Sequence, residues 1–284
     1  MFPLISATEI FCLNELGGRT NNEDFVSPRK GTASLSDKLF IVCDGVGGEK
    51  KGEVASQIAC LSIQEYIKKQ APLNGREKGV IQNAVYHANE KLAAYVQTDA
   101  DAKRMSTTLA LVLLGEASVT AAWCGDTRIH HVRNGDILWK SKDHSLVSEL
   151  VSQGELTEEE ARRHPQRNII TRSLNALNYN NVVDYHEIKN FVTGDYLLLC
   201  TDGLLEQIND GLIGEILTNK NEKDKAKSFL SFCEGATRDN FSMYLIRGQV
   251  TEPSKRRRPV PFIVLTIVVC LVLLWLAFFF FRKS

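Results

Sequence analysis

The chain reads as an α+β protein in which antiparallel sheets pack together beneath helices, with one transmembrane helix at its C-terminal end. Three observations predict this class. Apolar runs of strand length arrive in hairpin-like pairs, the two long amphipathic segments cluster instead of alternating with strands, and the last apolar run is long enough to span a bilayer.

Leu39–Cys43 (LFIVC) is a continuous apolar run of strand length. Residues 52–69 follow as a helix, with Val54, Ile58, Leu61 and Ile67 near one face. A second helix over 77–97 spaces Ile81, Ala84, Val85, Ala88, Leu92 and Val96 for burial. Thr108–Leu114 and Val119–Trp123 are strands separated by a short polar turn. Thr127–Val132 and Asp136–Trp139 flank Asn134-Gly135, a pair that favours the tight turn of a β-hairpin. Thr157-Glu158-Glu159-Glu160 has capping-box form and starts a short helix before His164-Pro165. Tyr196–Thr201 and Phe241–Ile246 are the last strands. No internal repeat or low-complexity segment divides residues 1–248, which read as one domain.

Beyond it, 249–259 (QVTEPSKRRRP) is a basic juxtamembrane linker, 260–281 a transmembrane helix, and 282–284 a short tail. The 22 residues VPFIVLTIVVCLVLLWLAFFFF carry no charge, and a helix of that length crosses a hydrocarbon core of about 30 Å. Lys255-Arg256-Arg257-Arg258 precede it, whereas Arg282 and Lys283 follow, which favours a cytoplasmic location for the long N-terminal side. The start, MFPLISATEIFCLNELGG, has neither a basic n-region nor a continuous apolar h-region and does not read as a signal peptide.

The formal charge of zero conceals an asymmetry. Six of the 34 basic residues but one of the 34 acids lie in 251–284, so residues 1–250 carry 28 basic and 33 acidic groups. A weakly acidic body without a basic stripe argues against a nucleic-acid partner. The seven cysteines are scattered without metal-ligand spacing, as in a reduced compartment.

One pattern points to chemistry. IVCDGVGG at 41–48 and LLLCTDGLLE at 197–206 both drive an apolar strand onto an aspartate followed by glycine. Glu23-Asp24, Asp126 and Asp239 are further acids beside strands. A single strand-end aspartate is an ordinary turn former. Carboxylates at five such places repel one another unless a cation neutralises them, and hard divalent ions take oxygen ligands of this kind. The six histidines show no HxxxH or HExxH spacing for a zinc site.

The ordered set RTNNED, DGVGGEKKGEVAS, MSTTLALVLL, CGDTR, NIITRSL, LLLCTDGL and RDNFSMYLI, spread over about residues 8–247, resembles the metal-dependent type 2C serine/threonine protein phosphatases of bacterial type. The resemblance implies a four-layer α-β-β-α sandwich and two tightly held Mn2+ or Mg2+ ions. It implies that Asp44 bridges the ions, that the Gly45 carbonyl ligates one, and that Asp202 and Asp239 complete the ligand set of the other ion. Glu23 and Asp24 match outer-shell carboxylates that orient metal-bound water. Asp126 matches an acid of a weaker third site, and Arg19 the arginine that grips the substrate phosphate. Water activated between the ions then attacks phosphorus in line. Implied partners are phosphoserine and phosphothreonine proteins, a kinase sharing those substrates, and the membrane.

Position 46 departs from many eukaryotic members, which carry histidine there; valine leaves the leaving-group proton donor unassigned. Asn175 and Asn178 stand where glycine is more usual, so substrate choice does not transfer. A non-catalytic, membrane-tethered phosphoprotein-binding module on the same fold is the alternative, separated from an enzyme by turnover. A haloacid-dehalogenase-like enzyme needs an Asp-x-Asp-Gly strand end that is missing, and GVGGEKKGE lacks the Lys-Ser/Thr of a P-loop. Cys43 and Cys200 have acid neighbours and no Cys-x5-Arg loop, so they read as core residues.

Overall fold

The computed structural model describes residues 4–46, 51–73, 75–177, 183–221 and 223–252, apart from the side chain at 162. It divides into two units, residues 2–251 and a second comprising residue 1 with 252–284. The predicted transmembrane run 260–281 and its basic flanks lie outside the described residues. Among the described residues no helix is long and apolar enough to cross a membrane.

In chain order the strands are β1 Leu4–Glu15, β2 Asp24–Ser27, β3 Leu39–Val46, β4 Ser106–Thr107, β5 Leu109–Leu114, β6 Val119–Cys124, β7 Arg128–Arg133, β8 Asp136–Lys140, β9 Leu174–Asn175, β10 Asp184–Ile188, β11 Tyr196–Cys200 and β12 Phe241–Thr251. The helices are α1 Gly52–Gln70, α2 Glu77–Thr98, α3 Leu146–Gln153, α4 Glu158–Arg163, α5 Asp202–Leu205, α6 Asp210–Thr218 and α7 Lys225–Cys233. One sheet runs β1-β12-β11-β7-β8, the other β10-β6-β5-β3-β4-β9 with β2 also on β3, and every pairing is antiparallel.

Side-chain alternation explains why these strands read as unbroken apolar runs. Ile41 and Cys43 of β3 join Leu109, Leu111 and Leu113 of β5 under α1 and α2. The alternate residues Phe40, Val42, Ala110 and Val112 meet Leu197, Leu199, Tyr244 and Ile246 of the other sheet. On that sheet's outer face Leu198, Cys200, Met243 and Leu245 pack on Ile213, Ile216 and Phe229 of α6 and α7. The layers are therefore helices, sheet, sheet, helices, as expected from the resemblance.

Several expectations are refined. The Asn-Gly turn forms with both residues at positive φ, 52° for Asn134 and 90° for Gly135. Thr157 and Glu160 make the reciprocal capping box at the start of α4. In α1 the buried face is Ala55, Ala59, Cys60, Ile63 and Ile67, not the larger Val54, Ile58 and Leu61, which are half-buried. Small residues bring this helix close to the sheet. β12 continues to Thr251, paired with Leu4, so the ladder reaches into the segment expected to be linker.

Candidate active site

Alternation along β3 puts Asp44 on the face shared with Phe40 and Val42, the seam between the sheets. β2 pairs antiparallel with β3 and sets Asp24 directly opposite Asp44. From the other sheet, β11 ends at Cys200 and the chain turns into α5 at Asp202. The two strand ends meet: the carboxyl groups of Asp44 and Asp202 lie close enough to raise each other's electrostatic cost of ionisation. Asp126 arrives in the turn between β6 and β7, and Asp239 precedes β12.

Threonines and one asparagine lock these ends. The Asp44 N–H donates to Thr108 Oγ1 at 2.9 Å, and its carbonyl accepts from Thr107 Oγ1 at 2.8 Å. Thr108 in turn hydrogen-bonds Thr127, next to Asp126. Thr201 Oγ1 donates to buried Asp24 Oδ2 at 3.0 Å. Asn240 ties the loop 16–23 to the start of β12. Its Oδ1 accepts from Glu23 N–H at 2.9 Å, and its Nδ2 donates to the carbonyls of Leu16 at 2.8 Å and Asn21 at 2.9 Å.

Glycines let the backbones close in. A Cβ on Gly45 would fall 2.1 Å from the Gly52 carbonyl oxygen, and one on Gly52 would fall 2.7 Å from Glu23 Oε2 and 2.8 Å from the Gly45 oxygen. The need for glycine at 45 is thus contact with the start of α1, not an unusual φ.

The electrostatics are those of crowded acids. Burial raises Asp24 to about 7, with Asp202 and Asp239 adding to it. Burial followed by Asp202 and Asp143 raises Asp126 to about 7. Burial followed by Asp239 and Glu206 raises Asp202 to about 6. Asp44 is pushed well up by burial and then by Asp24, Asp202, Asp126 and Asp239. Glu23 rises through burial and the nearby Glu53. Arg19 meets this cluster at its exposed edge: its guanidinium pairs with Asp239 Oδ2 at 2.7 Å and its side chain is 58% exposed.

Two buried oxygens, Asp126 Oδ1 and Asp202 Oδ1, have no hydrogen-bond partner. Leaving a buried acceptor unpaired costs roughly 1–3 kcal/mol, which a hard cation at these oxygens would relieve. All-oxygen donors of this kind suit Mg2+ or Mn2+. As placed, no group of three acid, histidine or cysteine side chains among the described residues is arranged to hold an ion. The donor chemistry fits; the side chains of Asp239 and Arg19, now paired, would have to part for Asp239 to ligate.

The sequence had pointed to the acids and Gly45 but not to Asn240, Thr108 or Thr201. A signal existed for each, since Asn240 follows Asp239 and the threonines adjoin strand-end aspartates, but their partners lie far away in the chain.

A family model described as protein phosphatase 2C matches residues 18–234. The serine/threonine phosphatase stp of Listeria innocua is 30% identical over 84% of this chain and 94% of its own length. The crystal structure of the Mycobacterium tuberculosis serine/threonine phosphatase PstP/Ppp superposes with a TM-score of 0.74 at 28% identity, covering 88% of this chain and all of that one. A structure of the PstP catalytic domain in complex with 2 manganese ions aligns with a TM-score of 0.71 at 26% identity over 87% of this chain and 100% of that one. Together with the meeting of the acid-bearing strand ends, these likenesses make the assignment: the chain belongs to the protein phosphatase 2C family of metal-dependent serine/threonine protein phosphatases.

Proposed function

We propose that this protein hydrolyses phosphoserine and phosphothreonine on other proteins, at a binuclear Mn2+ or Mg2+ centre on the cytoplasmic face of a membrane. The observation that carries the chemistry is the pair of buried, unpaired oxygens on Asp126 and Asp202, beside Asp44 where the ends of the two sheets converge. Asp44, Asp202, Asp239 and the Gly45 carbonyl would hold the two ions, and Asp126 would serve a third, weaker one. When bound, such ions supply a nucleophilic water at neutral pH and positive charge for the phosphoryl oxygens.

The chain itself does the rest. Among the described residues the exposed Arg19 guanidinium is paired with Asp239, from which its planar fork can turn onto two oxygens of an incoming phosphate. The Asp24 carboxylate is fixed by Thr201, and the Glu23 backbone is anchored by Asn240, beside the residues that would hold the metal. Val46, paired with Ser106, puts no acid beside the leaving oxygen at that position. Assaying the full chain on a phosphothreonine peptide tests the reading: turnover with Mn2+ and its loss on chelation are expected, and undiminished turnover in excess chelator would overturn it.

The membrane part rests on the charge-free run 260–281 and the four basic residues before it. Tethering would concentrate the enzyme near phosphoproteins at that surface, where a kinase of the same substrates is the natural opposing partner. The full chain should resist alkaline extraction from membranes, and protease outside intact cells should leave the catalytic domain whole. Cleavage of that domain before permeabilisation would reverse the orientation.

A further inference from the structure

The buried Oδ1 of Asp126 has no hydrogen-bond partner among the described residues, so the placement of its turn does much to aim the carboxylate. The turn that carries it, 124–128, is gripped on both sides by two consecutive residues, Asp143 and His144. After Asp126, Arg128 makes a two-pronged pair with Asp143, Nε to Oδ1 at 2.7 Å and NH2 to Oδ2 at 2.6 Å. Before it, Gly125 commits both peptide groups to His144. Its N–H donates to the ring Nδ1 at 3.2 Å, and its carbonyl accepts from the His144 N–H at 2.9 Å. Gly125 sits at φ +93°, with a Cβ position 2.6 Å from Thr108 Cγ2, so no other residue fits this turn without strain.

The imidazole is itself held on three sides. Because Nδ1 accepts, the ring proton resides on Nε2, which donates to Asp184 Oδ2 at 3.0 Å. The other oxygen of Asp184 takes Arg172 NH1 at 3.2 Å. The Trp123 indole lies nearly parallel to the ring, 20° between planes, and Asp184 is the residue opposite Trp123 in the β10–β6 pairing. His144 is 6% exposed. A histidine buried only for packing has no reason to spend a nitrogen and its own peptide N–H on one glycine next to a candidate ligand.

We propose that His144 is a positioning residue: as a neutral imidazole oriented by Asp184, it holds the Gly125–Asp126 turn so that the Asp126 carboxylate faces Asp202. The clamp stands on geometry; its effect on turnover rests on the phosphatase reading above.

The test uses the full chain in detergent micelles. His144→Phe keeps the ring against Trp123 and loses both nitrogens; His144→Asn keeps an acceptor near the Nδ1 position. Hydrogen exchange at the Gly125 amide should accelerate about tenfold in H144F, the worth of one hydrogen bond, and stay near wild type in H144N. Long-range proton–nitrogen spectra should place the ring proton on Nε2. With saturating Mn2+ and a phosphothreonine peptide, kcat should fall in H144F at unchanged KM, and that loss should disappear in an Asp126→Ala background. Asp184→Ala, on a half-exposed edge strand, removes the orienting carboxylate without opening the core and should also speed Gly125 exchange. Unchanged Gly125 exchange in both H144F and D184A, a ring proton on Nδ1, or kcat losses of H144F and D126A that multiply would each overturn the proposal. If the wild-type protein shows no turnover with Mn2+, the phosphatase reading falls, while exchange and tautomer still decide the clamp.

Discussion

Asp202 sits among repelling acids, with Asp44 and Asp239 close by and a buried oxygen that has no hydrogen-bond partner among the described residues. Asp202→Asn keeps the volume and removes one charge, so the fold should survive, as read by circular dichroism. Turnover of a phosphothreonine peptide should drop by about 10²–10³-fold, the range for losing one preorganised charge-stabilising group. Asp126 is tested differently, through the leaving group. If it supports proton donation in a protein with valine at 46, Asp126→Ala should lower kcat by about 10²-fold on phosphothreonine peptide. On p-nitrophenyl phosphate, whose leaving group needs little protonation, the loss should be smaller, and calorimetry should still detect the tight ions. Equal losses on both substrates, with the tight ions gone, would move Asp126 into the central ligand set.

Among the elements, those buried on both faces were legible in advance. β5, β11, Leu39–Cys43 of β3 and Met243–Ile246 of β12 are apolar runs because one row of side chains faces a helix layer and the next faces the opposite sheet. β1 was not legible, because as an edge strand it is half-exposed, mixes Ser6, Thr8 and Glu9 with its apolar residues, and slips register between Ala7 and Glu9. The phase of α1 was misread in part: Ile67 is buried as expected, but Ala55, Ala59, Cys60 and Ile63 form the rest of the buried face, with Val54 and Ile58 at its edge. Strand-end punctuation revealed where Asp44 and Asp202 sit, but Asn240 acts on residues 16, 21 and 23, a meeting that only the tertiary fold creates. The start of α5 offers a check on that close-packed junction. A Cβ on Gly203 would lie 2.0 Å from the Asn240 carbonyl oxygen, so Gly203→Ala should cost about 1–3 kcal/mol or more by overpacking. Thermal melting of the metal-free protein would measure this directly.

For the whole molecule, crowded acids make stability depend on pH and metal together. The folded-state values of Asp24, Asp126 and Asp202, about 7, 7 and 6, lie above the ordinary 3.8. A raised carboxylate value means that the folded state binds more protons, so this stabilisation is complete below 3.8 and is lost as pH rises through 6–7. His130, lowered to about 4 by burial, contributes in the opposite sense, and Asp195, at about 2, matters only in strong acid. Comparing chelated with Mn2+-saturated protein removes those common contributions. The gap in Tm between the two forms should widen from pH 5 to pH 8, because ions bind the deprotonated carboxylates; a constant gap would mean that these acids do not take the metal. The ladder between β1 and β12 has a different consequence, for the order of folding. It joins Leu4 to Thr251 and Glu15 to Phe241, almost the greatest separations the domain offers, so its loop closure is entropically slow. Arg19, Asp239 and Asn240 all lie at the end of that ladder. In refolding of residues 1–252 with Mn2+, fluorescence of the buried Trp123 should therefore recover before turnover does, and simultaneous recovery would show that the ladder closes with the core. A phosphatase built this way stays silent until its first and last strands have met.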